Sequence, residues 1–307
     1  MRDAFLRSLT SLAEKDRDIV LLTGDLGFGV FEEFESRFPG QYYNVGVAEQ
    51  NMTGVATGLA LEGKNVFTYS IGNFPTLRCL EQIRNDAGYH NANVTVVASG
   101  GGFSYGALGM SHHCTEDIAI LRALPNVSVI APGTIWEAGE ATKSLSNQAG
   151  VGYLRLDKTQ ADDDGGDIGG EFGIGLSRCL KEGSDITLIA TGGILEEAVK
   201  AAEHVAKKSI ECRVLSFHSI KPIDINAIKK AVAETNGVIT IEEHNIVGGL
   251  GSAVSEVCLD LGVMPKKFKR IGLNDVYSSV VGSQTYLRKY YEMDSGAIIQ
   301  AIQDMQD

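Results

Sequence analysis

Residues 44–60 read Asn44-Val45-Gly46-Val47-Ala48-Glu49-Gln50-Asn51-Met52-Thr53-Gly54-Val55-Ala56-Thr57-Gly58-Leu59-Ala60. The first residues have the character of a strand end or loop, and the rest form a helix of small residues. Gly54 and Gly58 fall on one helix face and would let another backbone approach closely, at a cost in helix propensity. Glu49 stands at the junction, in mostly apolar company. Read from periodicity alone, it is a first-turn glutamate that complements the helix dipole.

On either side of this stretch, short apolar runs alternate with amphipathic helical segments. Strands are expected at 18–25, 65–70, 94–99, 127–132 and 151–156, and again at 185–191, 211–217 and 237–243. Most of these runs are continuously apolar, as in strands buried on both faces of a parallel sheet. Helical patterns lie between them, at 51–61, 134–148, 195–207 and 251–261 among others. The expected class is α/β, with two three-layer domains of mostly parallel sheets. Asp162-Asp163-Asp164-Gly165-Gly166-Asp167, with Gly169-Gly170 beyond, reads as a solvated linker. It places the domain boundary between residues 158 and 184, giving domains of about 1–170 and 171–307.

The chain has 307 residues, 44% of them hydrophobic, enough for two cores. Its net charge of −12 argues against nucleic acid as a partner. The five cysteines, Cys79, Cys114, Cys179, Cys212 and Cys258, are odd in number and lack metal-ligand spacing. Buried thiols in a reducing compartment fit them. No signal peptide pattern and no apolar run of about 18 residues is present, so a cytoplasmic protein with no membrane association is expected.

Three further segments can carry chemistry. Thr23-Gly24-Asp25-Leu26-Gly27 ends the first strand, where α/β sheets place ligands; a turn-forming aspartate is the alternative. Tyr69-Ser70-Ile71-Gly72-Asn73-Phe74-Pro75-Thr76-Leu77-Arg78 ends the next strand, and Phe74 is either a stacking ring or core. Gly100-Gly101-Gly102 begins a loop that runs to Gly109-Met110-Ser111-His112-His113-Cys114, and its glycines let the backbone lie close to a ligand. Neighbouring side chains such as His112, His113 and Cys114 rarely converge on one ion, so no metal site is expected here. Glu242 to Ala253 is a glycine-rich strand–helix turn, weak evidence for a nucleotide site by itself.

In this order the segments resemble transketolases, deoxyxylulose-phosphate synthases and the beta subunits of 2-oxoacid dehydrogenases, over nearly the whole chain. The resemblance implies thiamine diphosphate as cofactor. Glu49 would hydrogen-bond a ring nitrogen of the aminopyrimidine and share a proton with it, making it catalytic. Phe74 would stack on that ring, with Ile71 and Leu77 as an apolar wall where aromatics are usual, and Asp25 would lie near the cofactor. His112 would contact substrate at the reacting carbon, with His113 as a further binding or proton-transfer candidate. Arg2 and Arg155 match arginines that bind a distal phosphate; read without the resemblance, each is an ion pair. Three positions depart from the family pattern: Leu108 replaces an aspartate, Gly100 a histidine and Gly29 a serine. They imply an altered sugar-phosphate subsite. The strand–helix turn after Glu242 would be structural, with no catalytic role for His244 or His218.

The metal-binding Gly-Asp-Gly motif of such enzymes has no counterpart here. The resemblance therefore implies an N-terminal partner subunit holding Mg²⁺ or Ca²⁺ and the diphosphate, and an α2β2 heterotetramer. The implied reaction is transfer of a two-carbon ketol unit from a ketose to an aldose, the His218–Asp224 stretch being most like split transketolases. Action on a 2-oxoacid is the enzymatic alternative, and a non-catalytic assembly role the other.

Overall fold

The computed structural model describes residues 1–162 and 170–306; most of the acidic linker lies outside the described residues. Among the described residues, twelve strands form two sheets. β1 (Ile19–Thr23), β2 (Tyr42–Asn44), β3 (Asn65–Ile71), β4 (Val94–Ser99), β5 (Val127–Ile130) and β6 (Val151–Leu156) belong to the first. β7 (Arg178–Lys181), β8 (Ile186–Thr191), β9 (Cys212–Ser216), β10 (Ser219–Lys221), β11 (Gly237–Asn245) and β12 (Phe268–Leu273) follow. The first sheet has the order β10-β5-β6-β4-β3-β1-β2 and the second β12-β11-β8-β9-β7. All pairings are parallel except β10 with β5 and β7 with β9. The expected α/β class with two three-layer, mostly parallel sheets is therefore what the chain adopts.

The continuous apolar runs do what their pattern predicts. In β3, Val66 faces one core and Phe67 the other; in β4, Val96 and Val97 divide in the same way. Helices Arg2–Ala13 and Ile135–Ser146 supply Phe5, Leu9, Ala138 and Leu145 to one face, and helix Glu49–Leu61 supplies Met52 and Ala56 to the other. The second sheet is sandwiched similarly. Helices Leu195–Ala206 and Ser295–Gln306 cover one side, and helices Ile225–Glu234 and Leu250–Leu261 the other. Local signals fix the helix ends. Thr134 and Asp224 accept hydrogen bonds from the amides of Glu137 and Ala227, and Gly262, with φ +65°, closes helix Leu250–Leu261.

Four strands escaped the pattern: β2, β7, β10 and β12. Each is at a sheet edge, where no second layer demands an unbroken apolar run. β10 has a structural consequence. It comes from the second half of the chain yet pairs with β5 of the first sheet, so the halves share a sheet as well as a face.

Candidate functional site

The strand ends of the first sheet bring the expected residues together. Gly24 and Asp25 follow β1, Asn44 ends β2, Ile71 ends β3 and Gly100 follows β4. These are carboxyl ends of parallel strands, where crossovers leave a crevice.

Glu49 is the first residue of its helix and is 3% exposed. The backbone at Gly24 packs against it: a Cβ there would lie 3.5 Å from Glu49 Cγ. Arg78 Nη1 donates to Glu49 Oε2 at 2.8 Å, and the Arg78 guanidinium lies 4.6 Å from the centroid of the Phe74 ring. Phe74 is half-buried and meets the His112 ring edge-on at 5.3 Å between centroids. Glu49, Arg78, Phe74 and His112 thus form one contiguous chain of contacts. Ser111 Oγ is 3.0 Å from His112 Nδ1. Ile71 is half-buried and Leu77 exposed, flanking Phe74 in sequence.

Asp25 adopts φ +58°. Its amide donates to Asn44 Oδ1 at 3.0 Å, and its own carboxylate accepts from Asn44 Nδ2 at 3.1 Å. Asn44 also accepts from the Gly46 amide at 3.0 Å, so this pair holds the turn that leads to Glu49.

Two residues expected at the substrate lie in the interior. Arg155 is fully buried. It donates through Nε to Asp117 at 2.9 Å, and through Nη2 to the carbonyls of Cys114 and Glu243, each at 2.9 Å. Tyr153, two residues earlier on the same strand face, donates to the same Asp117 oxygen at 2.5 Å. Arg155 ties the halves of the chain together. His113 is likewise interior, at 2% exposure, with Nε2 3.2 Å from the Gly106 carbonyl and its ring edge-on to Phe103. Burial pushes the pKa of its imidazole down. Of the adjacent histidines, His112 is the accessible one.

Arg2 stands apart from Arg155. Its side chain is half exposed and paired with Asp3 at 3.0 Å. It lines an open groove of about 570 Å³ with Arg7, Arg37 and Gly29, between helices Arg2–Ala13 and Glu32–Arg37.

One departure from the family pattern, Gly100, acquires a physical reason. Gly100 has φ +90°, and a Cβ there would collide with the Tyr105 ring. That ring, capped by Lys158 Nζ at 3.9 Å from its centroid, fills the space beside Gly100. At Gly102 a Cβ would collide with the Glu243 carboxylate, so this glycine lets the loop sit on the second half of the chain. Leu108 is exposed.

The glycine-rich turn of the second half is filled by protein. Glu242 accepts from the amides of Leu250 and Gly251 at 2.7 and 2.8 Å. A carboxylate therefore occupies the anion position at that helix start. His244 and His218 are fully buried. Among the described residues, no three His, Cys, Asp or Glu side chains could hold a metal, and no helix is long and apolar enough to cross a membrane.

Arg78 is the member of this cluster to which the sequence assigns no role. The available signal was its position four residues beyond Phe74, on a turn leading into a helix.

A buried carboxylate beside an aromatic face suits a flat, nitrogen-bearing heteroaromatic ring. Comparisons with known proteins agree with that chemistry. Residues 1–162 match the family described as transketolase, pyrimidine binding domain, and residues 175–298 match transketolase, C-terminal domain. An apulose-4-phosphate transketolase subunit of Phocaeicola vulgatus is 36% identical over 97% of this chain and 94% of that protein. The 6-deoxy-6-sulfo-D-fructose transketolase subunit SqwH of Clostridium sp. is 34% identical over 99% and 94%. A solved split gene transketolase, described as an inactive beta4 tetramer, superposes with TM-score 0.90 at 33% identity, over 99% of this chain and 97% of that one. The chain belongs to the transketolase family, and it corresponds to the pyrimidine-binding and C-terminal domains that split transketolases carry on a separate polypeptide.

Proposed function

We propose that this chain is the C-terminal subunit of a thiamine diphosphate-dependent split transketolase, moving a two-carbon ketol unit from a ketose to an aldose. The observation that carries the reading is Glu49, buried at a helix start with Phe74 and His112 in the same chain of contacts. When bound, the thiazolium of the cofactor supplies the electron sink for breaking the carbon–carbon bond beside a ketose carbonyl.

The residues present fit the aminopyrimidine end of that cofactor. Glu49 would hold a proton against a ring nitrogen, Phe74 would give the ring a face, and Ile71 and Leu77 would keep water from its edges. Asp25 would steady the turn beside Gly24. His112 would orient substrate and hold or release a proton at the substrate oxygen nearest the reacting carbon. Arg2, in a groove lined by Arg7 and Arg37 and by the carboxylates of Asp3, Glu14 and Glu33, would anchor a distal anionic group.

The diphosphate and its Mg²⁺ or Ca²⁺ would be held by an N-terminal transketolase-like subunit, giving a cytoplasmic α2β2 heterotetramer. Support comes from the subunit relatives, whose length this chain nearly spans. The names of those relatives, one for a phosphorylated and one for a sulfonated substrate, support a sugar with an anionic end, which Arg2 would meet.

Calorimetry with thiamine diphosphate and Mg²⁺ tests the reading, using this chain, its partner and the mixture. Tight binding in the mixture alone is expected. Tight binding by this chain alone would overturn the divided site, and no binding in any mixture would overturn the catalytic reading.

A further inference from the structure

Arg78 has no part in the reaction proposed above, yet it makes both contacts that an aminopyrimidine would need. Its Nη1 donates to Glu49 Oε2 at 2.8 Å, and its guanidinium carbon lies 4.6 Å from the Phe74 ring centroid. The two ends of the ion pair differ in environment. The Glu49 side chain is 3% exposed and that of Arg78 is 46% exposed. The backbone of Arg78 is tied down, because its carbonyl accepts from Gln50 Nε2 at 3.1 Å. Among the described residues, Glu49 is the only hydrogen-bond partner of the Arg78 side chain.

A buried carboxylate without a partner is costly. In a chain without cofactor, something must meet Glu49, and the guanidinium does so. It also resembles what would replace it. Guanidinium and aminopyrimidine are both planar, both offer N–H groups to a carboxylate, and both lie on an aromatic face. Two such groups cannot occupy the Glu49–Phe74 site together.

We infer that Arg78 is an internal placeholder, occupying the Glu49–Phe74 site in the empty subunit and vacating it when the aminopyrimidine enters. The inference rests on the assignment of Glu49 and Phe74 to the cofactor. Departure is cheap, since the Arg78 side chain is flexible and already half in solvent, and the entering aminopyrimidine takes over the pairing with Glu49. The placeholder keeps the empty subunit stable until it meets its partner. Its cost is affinity, because a ligand that must displace an internal group binds only the open fraction of the protein.

The test is calorimetric titration of thiamine diphosphate with Mg²⁺ into the complex of both subunits, for the wild type, Arg78→Met and Arg78→Lys. Methionine keeps the length of the side chain without charge or a planar face. Arg78→Met is expected to bind the cofactor about three- to thirtyfold more tightly, the range that one exposed ion pair and one cation–π contact allow. Arg78→Lys, which keeps the charge but not the planar stack, should fall between the two. In thermal unfolding of this chain alone, Arg78→Met should melt below wild type, because Glu49 has lost its partner. Equal or weaker cofactor binding by Arg78→Met would overturn the placeholder and leave the proposed function standing. No binding by the wild-type complex would overturn the proposed function and the placeholder with it.

Discussion

Arg155 and Arg78 both pair with a carboxylate in the first half of the chain, in opposite settings. Arg155 is fully buried; Nε and Nη2 donate to Asp117 and to two backbone carbonyls, one from each half of the chain, and Nη1 lies 3.6 Å from Asp157. Arg78 is half exposed and touches one carboxylate and one ring face. The first arrangement extends into a buried seam. Glu243 accepts from the Phe103 amide at 2.5 Å and pairs with Arg288, whose Nη1 donates to Glu196 at 2.6 Å and Nη2 to Thr159 at 2.7 Å. A charge enclosed by partners from several elements is locked in place. A charge with one partner and an open side can exchange that partner for a ligand. The contrast separates a structural arginine from one at a working site, although both end up beside β strand termini.

Measurements on either arginine's surroundings can test this contrast. The largest effect belongs to the open side. Glu49→Gln keeps the shape of the side chain but not its proton chemistry, and should cut turnover of the two-subunit complex by about 10²–10⁴-fold. Its melting temperature should stay close to that of the wild type. A loss of folding in place of activity would mean that Glu49 belongs with the locked charges.

On the locked side, Arg155→Met leaves Asp117 buried without its cation, and denaturant unfolding should show a loss of about 3–5 kcal/mol. A loss below about 1 kcal/mol, typical of a surface pair, would erase the distinction between the two arginines.

Gly100→His, which restores the residue usual in the family, meets both a positive φ and the Tyr105 ring. A loss of about 1–3 kcal/mol is expected from strain and overpacking. Part of it should return in the double variant with Tyr105→Ala, since the ring is the obstacle.

The last effect concerns Glu242, on β11. Burial pushes its carboxyl from the ordinary 4.5 up to about 7, partly offset by the amides of Gly251 and Leu250. A raised folded pKa means that the folded chain holds this proton more tightly than the unfolded chain. The resulting stability is fully present below pH 4.5 and is lost as the pH rises through about 7. Glu242→Gln should flatten stability over that window by roughly 1–3 kcal/mol, read from unfolding curves at several pH values. An unchanged slope would mean that the two amide contacts keep Glu242 ionised throughout.

The class of fold and the neighbourhood of the site follow from residue order. Continuous apolar runs can be satisfied only between two layers, so β1, β3, β4, β5, β6, β8, β9 and β11 were legible, whereas the short edge strands were not. Glu49, Phe74 and His112 were singled out by the family resemblance, and the converging strand ends of the parallel sheet bring them into one chain of contacts. The fate of the long side chains depended on packing between distant elements. Arg155 lies near the carboxyl end of β6, and Asp117, the Cys114 carbonyl and the Glu243 carbonyl of β11 enclose it. His113 and His112 are neighbours in sequence, yet the turn sends one inward to Phe103 and the other toward Phe74. Arg78 carries no periodic signal, and its contact with Glu49 spans 29 residues. Periodicity reports which face of an element a residue occupies. It does not report which distant element covers that face, and the cover separates a sealed charge from an available one.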